Sequence, residues 1–411
     1  MRRTAPPTMA PKVAIAATVG NLVCLTAAIS ATFGTFLVPI ATDFHWPRAE
    51  VSGVLGLISV LSALAYPLIG RAMDRFGARP LLIGGHVALG LLVMSLSLAS
   101  PVPWLFYLQF GAVGLAGAMC SSPMFSKVVS NWFDETRGLM LGVTAGVGNG
   151  VGATVMPIVA GVLMPVLGWR QTYVVIGALV LIIGLPVLLA WLREAPERPE
   201  QPTIAALDGM TLAAAMRQPR FWVLLLAVAS GAGALTAVFT HVVPMLTDRG
   251  YSVGAATMQV AVFALVTAGW QAVMGGLLDR RRTPRLVVPM YIAAIAGLIE
   301  LEFGLGGVGP TAASVLLGIG MGAEYGALSF FTSRYFGLKH YGAIIGALYA
   351  AVILAQGITP ALMDASFDAT GSYAQATIAL AVTLGFGAVL LLFLPSAEGV
   401  VEGEVEAFGL V

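Results

Sequence analysis

Charge is what this chain has least of. Asp, Glu, Lys and Arg together make up 10% of its 411 residues, and 58% are hydrophobic. A soluble domain carries about 25% charged residues, and mean hydropathy here is +0.91. Such a chain cannot solvate its surface in water, so it is read as a membrane protein. The net charge of +1 argues against nucleic acid or any large anionic partner. Only two cysteines occur, Cys24 and Cys120, both inside apolar runs. A disulfide framework is excluded, and neither thiol has an activating neighbour. The four histidines are scattered, and no nucleophile elbow or metal-ligand cluster is present, which excludes hydrolysis and metal catalysis. A Walker-type phosphate loop is also missing, so ATP does not drive the molecule. The chain is read as no enzyme and as needing no cofactor.

What is present is length in apolar runs. Breaking them at charge and at Pro/Gly clusters gives twelve expected spans of about 20 residues. They are 13–40, 50–70, 80–99, 103–131, 138–163, 170–192, 221–246, 254–278, 286–304, 309–332, 342–363 and 374–395. The first is too long for a signal-peptide core, and no cleavage-like site follows it. Many of the 49 glycines fall inside spans; Gly142, Gly146 and Gly150 form one stripe, Gly148 and Gly152 another. Small-residue stripes let helices pack closely where lipid supplies no hydrophobic drive. Of the 21 Lys and Arg, only Arg48, Arg170 and Arg249 fall on one side of this twelve-span arrangement, with Lys127 inside a span. The rest lie on the other side, which predicts that both termini are cytoplasmic.

The chain also repeats itself. Gly70-Arg71-Ala72-Met73-Asp74-Arg75 follows span 2, and Gly275-Gly276-Leu277-Leu278-Asp279-Arg280 follows span 8, with Gly and Asp four apart in each. Ser130-Asn131-Trp132-Phe133 and Ser333-Arg334-Tyr335-Phe336 form a second pair, and Gly168-Trp169 and Gly371-Ser372-Tyr373 a third, at nearly the same offset. Matched landmarks at one offset indicate duplication, and two six-span repeats mark a secondary transporter. The expected organisation is a bundle over 1–192, a cytoplasmic linker over 193–220, a second bundle over 221–395 and an acidic tail over 396–411. Pro196, Glu197, Arg198, Pro199, Glu200 and Pro202 make the linker stiff and solvated. Met210 to Arg217 is expected to form a short interfacial helix, and the tail, with Glu398, Glu402, Glu404 and Glu406, to be disordered.

In the repeated loop, Gly70 allows close helix approach. Asp74 can cap a helix N-terminus, or pair with Arg75 or with a cation on the next bundle. Gly70, Asp74, Arg75, Gly275, Asp279 and Arg280 are therefore assigned to gating; the alternative is that the loop only anchors at headgroups. This loop, its repeat and the twelve spans resemble the major facilitator superfamily. Asn131-Trp132-Phe133-Asp134-Glu135-Thr136-Arg137-Gly138, Pro219-Arg220-Phe221-Trp222 and Gly318-Ile319-Gly320-Met321-Gly322-Ala323-Glu324 running on to Ser333-Arg334-Tyr335-Phe336-Gly337 resemble its monocarboxylate porter and oxalate/formate antiporter branch. The resemblance implies an all-α polytopic protein of twelve transmembrane helices in two pseudo-symmetric six-helix bundles, the major facilitator fold, working by rocking-bundle alternating access. One position departs from it. Members that carry small carboxylates usually have an Arg in span 8, eight residues before the loop Asp, where it binds the carboxylate. Here that position is Gln271, beside Trp270. A neutral amide lacks the charge and fork of Arg, so either the anion's charge is met elsewhere or the substrate is larger, more aromatic or neutral.

Ionisable residues inside spans are the next candidates, since a charge in lipid is costly. Glu324 lies halfway along span 10 in a Gly-rich stretch, and in the resembled fold that span faces the cavity. Desolvation favours the neutral carboxyl there, which suits it to proton coupling; the alternative is a neutral Glu hydrogen-bonded to a neighbouring helix. Lys127 can supply the positive charge that Gln271 does not, or snorkel to the headgroups. His241 can relay a proton or donate to substrate, or cap a loop carbonyl. His86 in span 3 is read as a packing histidine, and Glu300 and Glu302 as wetted by headgroups. Asn149 in span 5 needs a partner at mid-membrane. Tyr107, Gln109, Trp270 and Tyr325 can present rings and donors to an organic anion.

The resulting reading is a monomeric secondary transporter in the cytoplasmic membrane, moving a small or aromatic organic anion with protons or in exchange for another anion. Substrate contacts are expected from Gln271, Glu324, Tyr325, Asn149, Lys127, Trp270, Tyr107, Gln109 and His241. The first rival is proton-antiport efflux of drugs or metabolites, of whose span-5 pattern Pro157 and Gly161 give only part. A non-transporting membrane sensor is the second, disfavoured by the short linker and tail.

Overall fold

The computed structural model describes residues 9–195, 209–304 and 309–397. Within them every regular element is helical. In lipid a backbone must satisfy its own N–H and C=O groups, and a helix does so within one segment. Eleven helical segments among the described residues are long and apolar enough to cross a membrane. One of them, Arg137–Trp191, has 55 residues, about 80 Å at 1.5 Å per residue, against about 30 Å of hydrocarbon. It is two spans meeting at Gly168, where φ 73° and ψ 170° break the helix. That makes twelve. The Pro-rich part of the expected linker (196–208) and the acidic tail beyond Ala397 lie outside the described residues.

The helices in chain order are α1 Met9–Leu22, α2 Phe33–Phe44, α3 Arg48–Phe76, α4 Ala78–Ser95, α5 Pro103–Met119, α6 Ser122–Trp132, α7 Arg137–Leu179, α8 Leu185–Trp191 and α9 Leu212–Met216. They continue with α10 Pro219–Asp248, α11 Val253–Arg281, α12 Val288–Phe303, α13 Gly309–Phe336, α14 Tyr341–Thr370 and α15 Ala374–Leu392. Three spans are interrupted; in span 6 a π-helical stretch, Val180–Gly184, joins α7 to α8. In span 1, α1 and α2 are joined through a π-helical stretch, Thr26–Ser30. In span 4, α5 stops at Met119, Ser121 turns extended, and α6 begins at Ser122 with Pro123 in its first turn. The short α9, capped by the Thr211 hydroxyl accepting from Ala214 N, falls where an interfacial helix was expected.

The chain forms two compact units. The first holds the described residues of 1–134, 143–199 and 340–350; the second holds those of 135–142, 200–339 and 351–411. Each therefore includes the opening turns of a helix that continues in the other. The core of the first unit is aromatic: Phe36 stacks on Tyr173 at 3.8 Å, and Phe44, Phe106, Phe110 and Trp169 pack edge-on around them. In the second, α13 is the most enclosed helix, with Ala323, Glu324, Phe330, Phe331 and Thr332 all buried.

Candidate functional site

The two loop aspartates do the same thing in the two units. Asp74, at the end of α3, accepts the backbone N–H groups of Gly342 at 2.9 Å and Ala343 at 2.8 Å. Asp279, at the end of α11, accepts those of Gly138 at 2.7 Å and Leu139 at 2.8 Å. Each carboxylate thus caps the N-terminus of another helix, α14 or α7, where unpaired N–H groups and the helix dipole favour an anion. The glycines explain how the helices come close enough. A Cβ on Gly70 would overlap the Gly342 carbonyl, and one on Gly138 would overlap the Gly275 carbonyl. One turn further on, Gly346 meets the Tyr66 carbonyl and Gly142 the Gln271 carbonyl in the same way.

The counter-charges differ. Lys127 Nζ lies 2.6 Å from Asp74 Oδ1, both side chains 9% exposed. The Lys127 ammonium is buried against the Asp74 carboxylate, an ion pair that neither sequence reading of Lys127 named. Asp279 instead feels Arg334 and Arg137, and Arg137 donates to Ser333 Oγ at 3.2 Å. Arg75 is exposed and lies over the Phe76 ring at 5.2 Å; Arg280 is exposed too.

Asn149 finds its partners where span 4 breaks. Its Nδ2 donates to Ser122 Oγ at 2.6 Å, and the Cys24 thiol donates to its Oδ1 at 3.1 Å. Ser122 in turn donates to Asn21 Oδ1 at 2.5 Å, and Asn21 Nδ2 donates to the carbonyls of Ala17 and Thr144. Asn21, Ser122 and Cys24 escaped the sequence reading. Ser121-Ser122-Pro123 in mid-span was the available signal, since Ser is a favoured N-cap and Pro is favoured in a helix's first turn, where its missing N–H costs nothing.

In the second unit, Glu324 is 2% exposed, and among the described residues neither carboxyl oxygen has a hydrogen-bond partner. A Cβ on Gly231 would meet both its Oε2 and the Tyr291 hydroxyl, so the carboxyl sits among α10, α12 and α13. Tyr325, its neighbour in sequence, accepts from Gln356 Nε2 at 2.8 Å. Trp270 has its indole N–H buried without a partner among the described residues. Gln271 is 7% exposed, its backbone held between Gly142 and Gly322. Three other candidates lie at the far ends of their spans from the aspartates. Tyr107 donates to the Glu50 carbonyl at 2.7 Å, Gln109 to the Ser95 carbonyl at 3.4 Å, and His241 contacts Asp364 at 2.7 Å.

Comparison with known proteins extends these internal symmetries to a family. The Major Facilitator Superfamily pattern matches residues 20–360. The chain is 25% identical to monocarboxylate transporter 11 of Homo sapiens over 89% of this chain and 79% of that protein. It is also 25% identical to the nitrite extrusion protein of Bacillus subtilis, covering 86% and 87% of the two chains. Among solved structures it is similar to the E. coli fucose:proton symporter FucP, with a TM-score of 0.69 at 16% identity, covering 93% of this chain and 98% of that one. That likeness concerns the fold. With twelve spans, two capped helix pairs and a family match over most of its length, the chain belongs to the Major Facilitator Superfamily of membrane transporters.

Proposed function

We propose that the protein is a secondary transporter of a small or aromatic organic monocarboxylate, moved by alternating access together with a proton. The observation that carries the reading is Glu324. A carboxyl that is 2% exposed, with the Tyr291 hydroxyl beside it and no cation paired with it among the described residues, does not hold a charge there, because desolvating an anion without a counter-charge costs several kcal/mol. It takes up a proton, and a coupled proton must have such a place to bind. Lys127 is engaged with Asp74, so in this reading it belongs to the gate and leaves the anion's charge to the proton. Neutral donors of the second unit complete the contacts: Gln271, Tyr325 and the indole N–H of Trp270, which has no partner among the described residues. The similarity to proteins named for monocarboxylate and nitrite transport supports an anionic solute.

The capped helices supply the gate. Asp74 and Asp279 hold α14 and α7 by charge-assisted bonds that form and break as whole units, as a carrier alternating between two states requires.

Proteoliposomes holding the purified protein test the reading. An inward proton gradient is expected to drive accumulation of labelled short or aromatic monocarboxylates, and a protonophore to abolish it. Glu324→Gln should keep solute exchange but lose the gradient-driven uptake. Movement of cationic or neutral solutes alone would refute the proposal in favour of efflux.

A further inference from the structure

His241 takes no part in the aspartate caps and does not contact Glu324 among the contacts above. It lies towards the C-terminal end of α10 and is 6% exposed, with its ring engaged on both sides. Nδ1 is 2.7 Å from the Ala237 carbonyl, and Nε2 is 2.7 Å from Oδ1 of Asp364 on α14. A carbonyl and a carboxylate only accept, whereas a neutral imidazole carries a single N–H. With the ring neutral and Asp364 ionised, one contact or the other would set two lone pairs 2.7 Å apart. The Thr240 hydroxyl, 3.1 Å from Nδ1, does not relieve this: its single proton can go to the Thr236 or Ala237 carbonyl or to Nδ1, and in the last case a bare Nδ1 would still face the Ala237 carbonyl at 2.7 Å. The geometry closes only with one more proton in the pair, as an imidazolium on a carboxylate or as the acid form of Asp364 donating to Nε2.

We propose that His241 and Asp364 form a proton-binding site that ties α10 to α14, and that the tie loosens when the proton leaves. The site does not depend on which solute is carried. Its two members differ in access: the Asp364 side chain is 63% exposed and that of His241 is 8% exposed. An open carboxylate collects the proton, and a buried ring holds it. The surroundings favour positive charge on the ring. Tyr373, in the turn before α15, packs edge-on to His241 at 5.6 Å. Burial, and then Asp248, Asp364, Glu302 and Asp368, push the Tyr373 phenol up, which places carboxylates from α10, α12 and α14 around the pair. The neighbouring cation, Arg249, donates to the carbonyls of Leu301 at 2.5 Å and Glu300 at 3.4 Å. His86 is the useful contrast. It faces two neutral carbonyls, from Leu82 at 2.8 Å and from Gly20 at the longer 3.2 Å, so one N–H serves the short contact, no counter-charge is present, and the ring is 0% exposed.

Nitrogen-15 spectra of the histidine-labelled full chain read the proton directly, with His241 assigned by its loss in His241→Gln. At acid pH His241 is expected to show N–H on both ring nitrogens, or one N–H with the acid proton on Asp364, and a single N–H in Asp364→Asn. Thermal unfolding gives the second readout. Asp364→Asn should lower the melting temperature at acid pH, and the loss should shrink at alkaline pH, where the proton that the pair shares has left. Asp364→Glu should behave as the unaltered protein in both. One N–H on His241 at acid pH with Asp364 an ionised carboxylate by carbon-13, and a melting loss in Asp364→Asn that is the same at both pH values, would overturn the site. Because no solute is used, that failure is separate from failure of the transport reading.

Discussion

Asp74 and Lys127 are 53 residues apart in sequence and 2.6 Å apart in space, and their energetics are unequal. Asp74 keeps two backbone N–H donors if the ammonium is removed, whereas Lys127 has no other ion pair among the described residues to fall back on. Removing one partner of a buried pair leaves an uncompensated charge, at a cost of about 3–5 kcal/mol. Asp74→Asn is therefore expected to destabilise near the top of that range and Lys127→Met clearly less. The double variant should recover part of what Asp74→Asn loses. Melting temperatures of the four proteins decide it; simple additivity of the two single losses would mean that the contact is incidental. The residue types and their places on spans were legible in the sequence, the pairing was not. Lys127 read as a counter-charge for substrate or a snorkelling side chain because nothing local in the sequence ties span 4 to the loop after span 2.

At the scale of helices, closeness is set by glycine. Gly138 faces the Gly275 carbonyl with no room for a methyl group, and the Asp279 cap depends on that approach. Gly138→Ala must push the start of α7 away from α11, at about 1–3 kcal/mol for overpacking, and lengthen both bonds to Asp279. The expected result is a lower melting temperature and at least a tenfold slower solute exchange in proteoliposomes, by analogy with the rate cost of about 1.4 kcal/mol per decade. Gly161→Ala is the control, since a Cβ there meets nothing within 4 Å; it should leave both measurements unchanged or stability slightly raised. Equal effects of the two substitutions would remove the packing argument. The repeat of Gly and Asp four apart was readable as a motif because spacing survives in sequence. The breaks at Thr26–Ser30 and at Ser121 were not read, since both lie in unbroken apolar runs where hydropathy carries no signal. Only Pro123 marked one of them, and with it went the chance to see Asn21 and Ser122 beside Asn149.

For the whole molecule, the twelve spans were legible because the hydrocarbon thickness leaves a chain so little choice, down to a Gly168-Trp169 pair that divides a 55-residue helical run. The placement of Glu324 was legible only in part: its depth followed from its position in span 10, but its neighbours Tyr291 and Gly231 come from other helices. The expected orientation follows from a different asymmetry. Arg71, Arg75 and Arg79 on one side and Arg280, Arg281 and Arg282 on the same side outnumber Arg48, Arg170 and Arg249 on the other, and cationic loops are retained in the cytoplasm. The molecule also offers a clean way to check this, because its native thiols, Cys24 and Cys120, are 2% and 0% exposed and should be silent to a membrane-impermeant maleimide. A cysteine introduced at the exposed Val102, just before α5, is expected to label in intact cells. One at the exposed Arg281, at the end of α11, should label only after the membrane is opened. The reverse pattern would invert the topology, and with it the direction from which a proton reaches Asp364: with α14 running outward from a cytoplasmic Asp74 cap, the His241–Asp364 pair meets the external pH, and inverted it would meet the internal one.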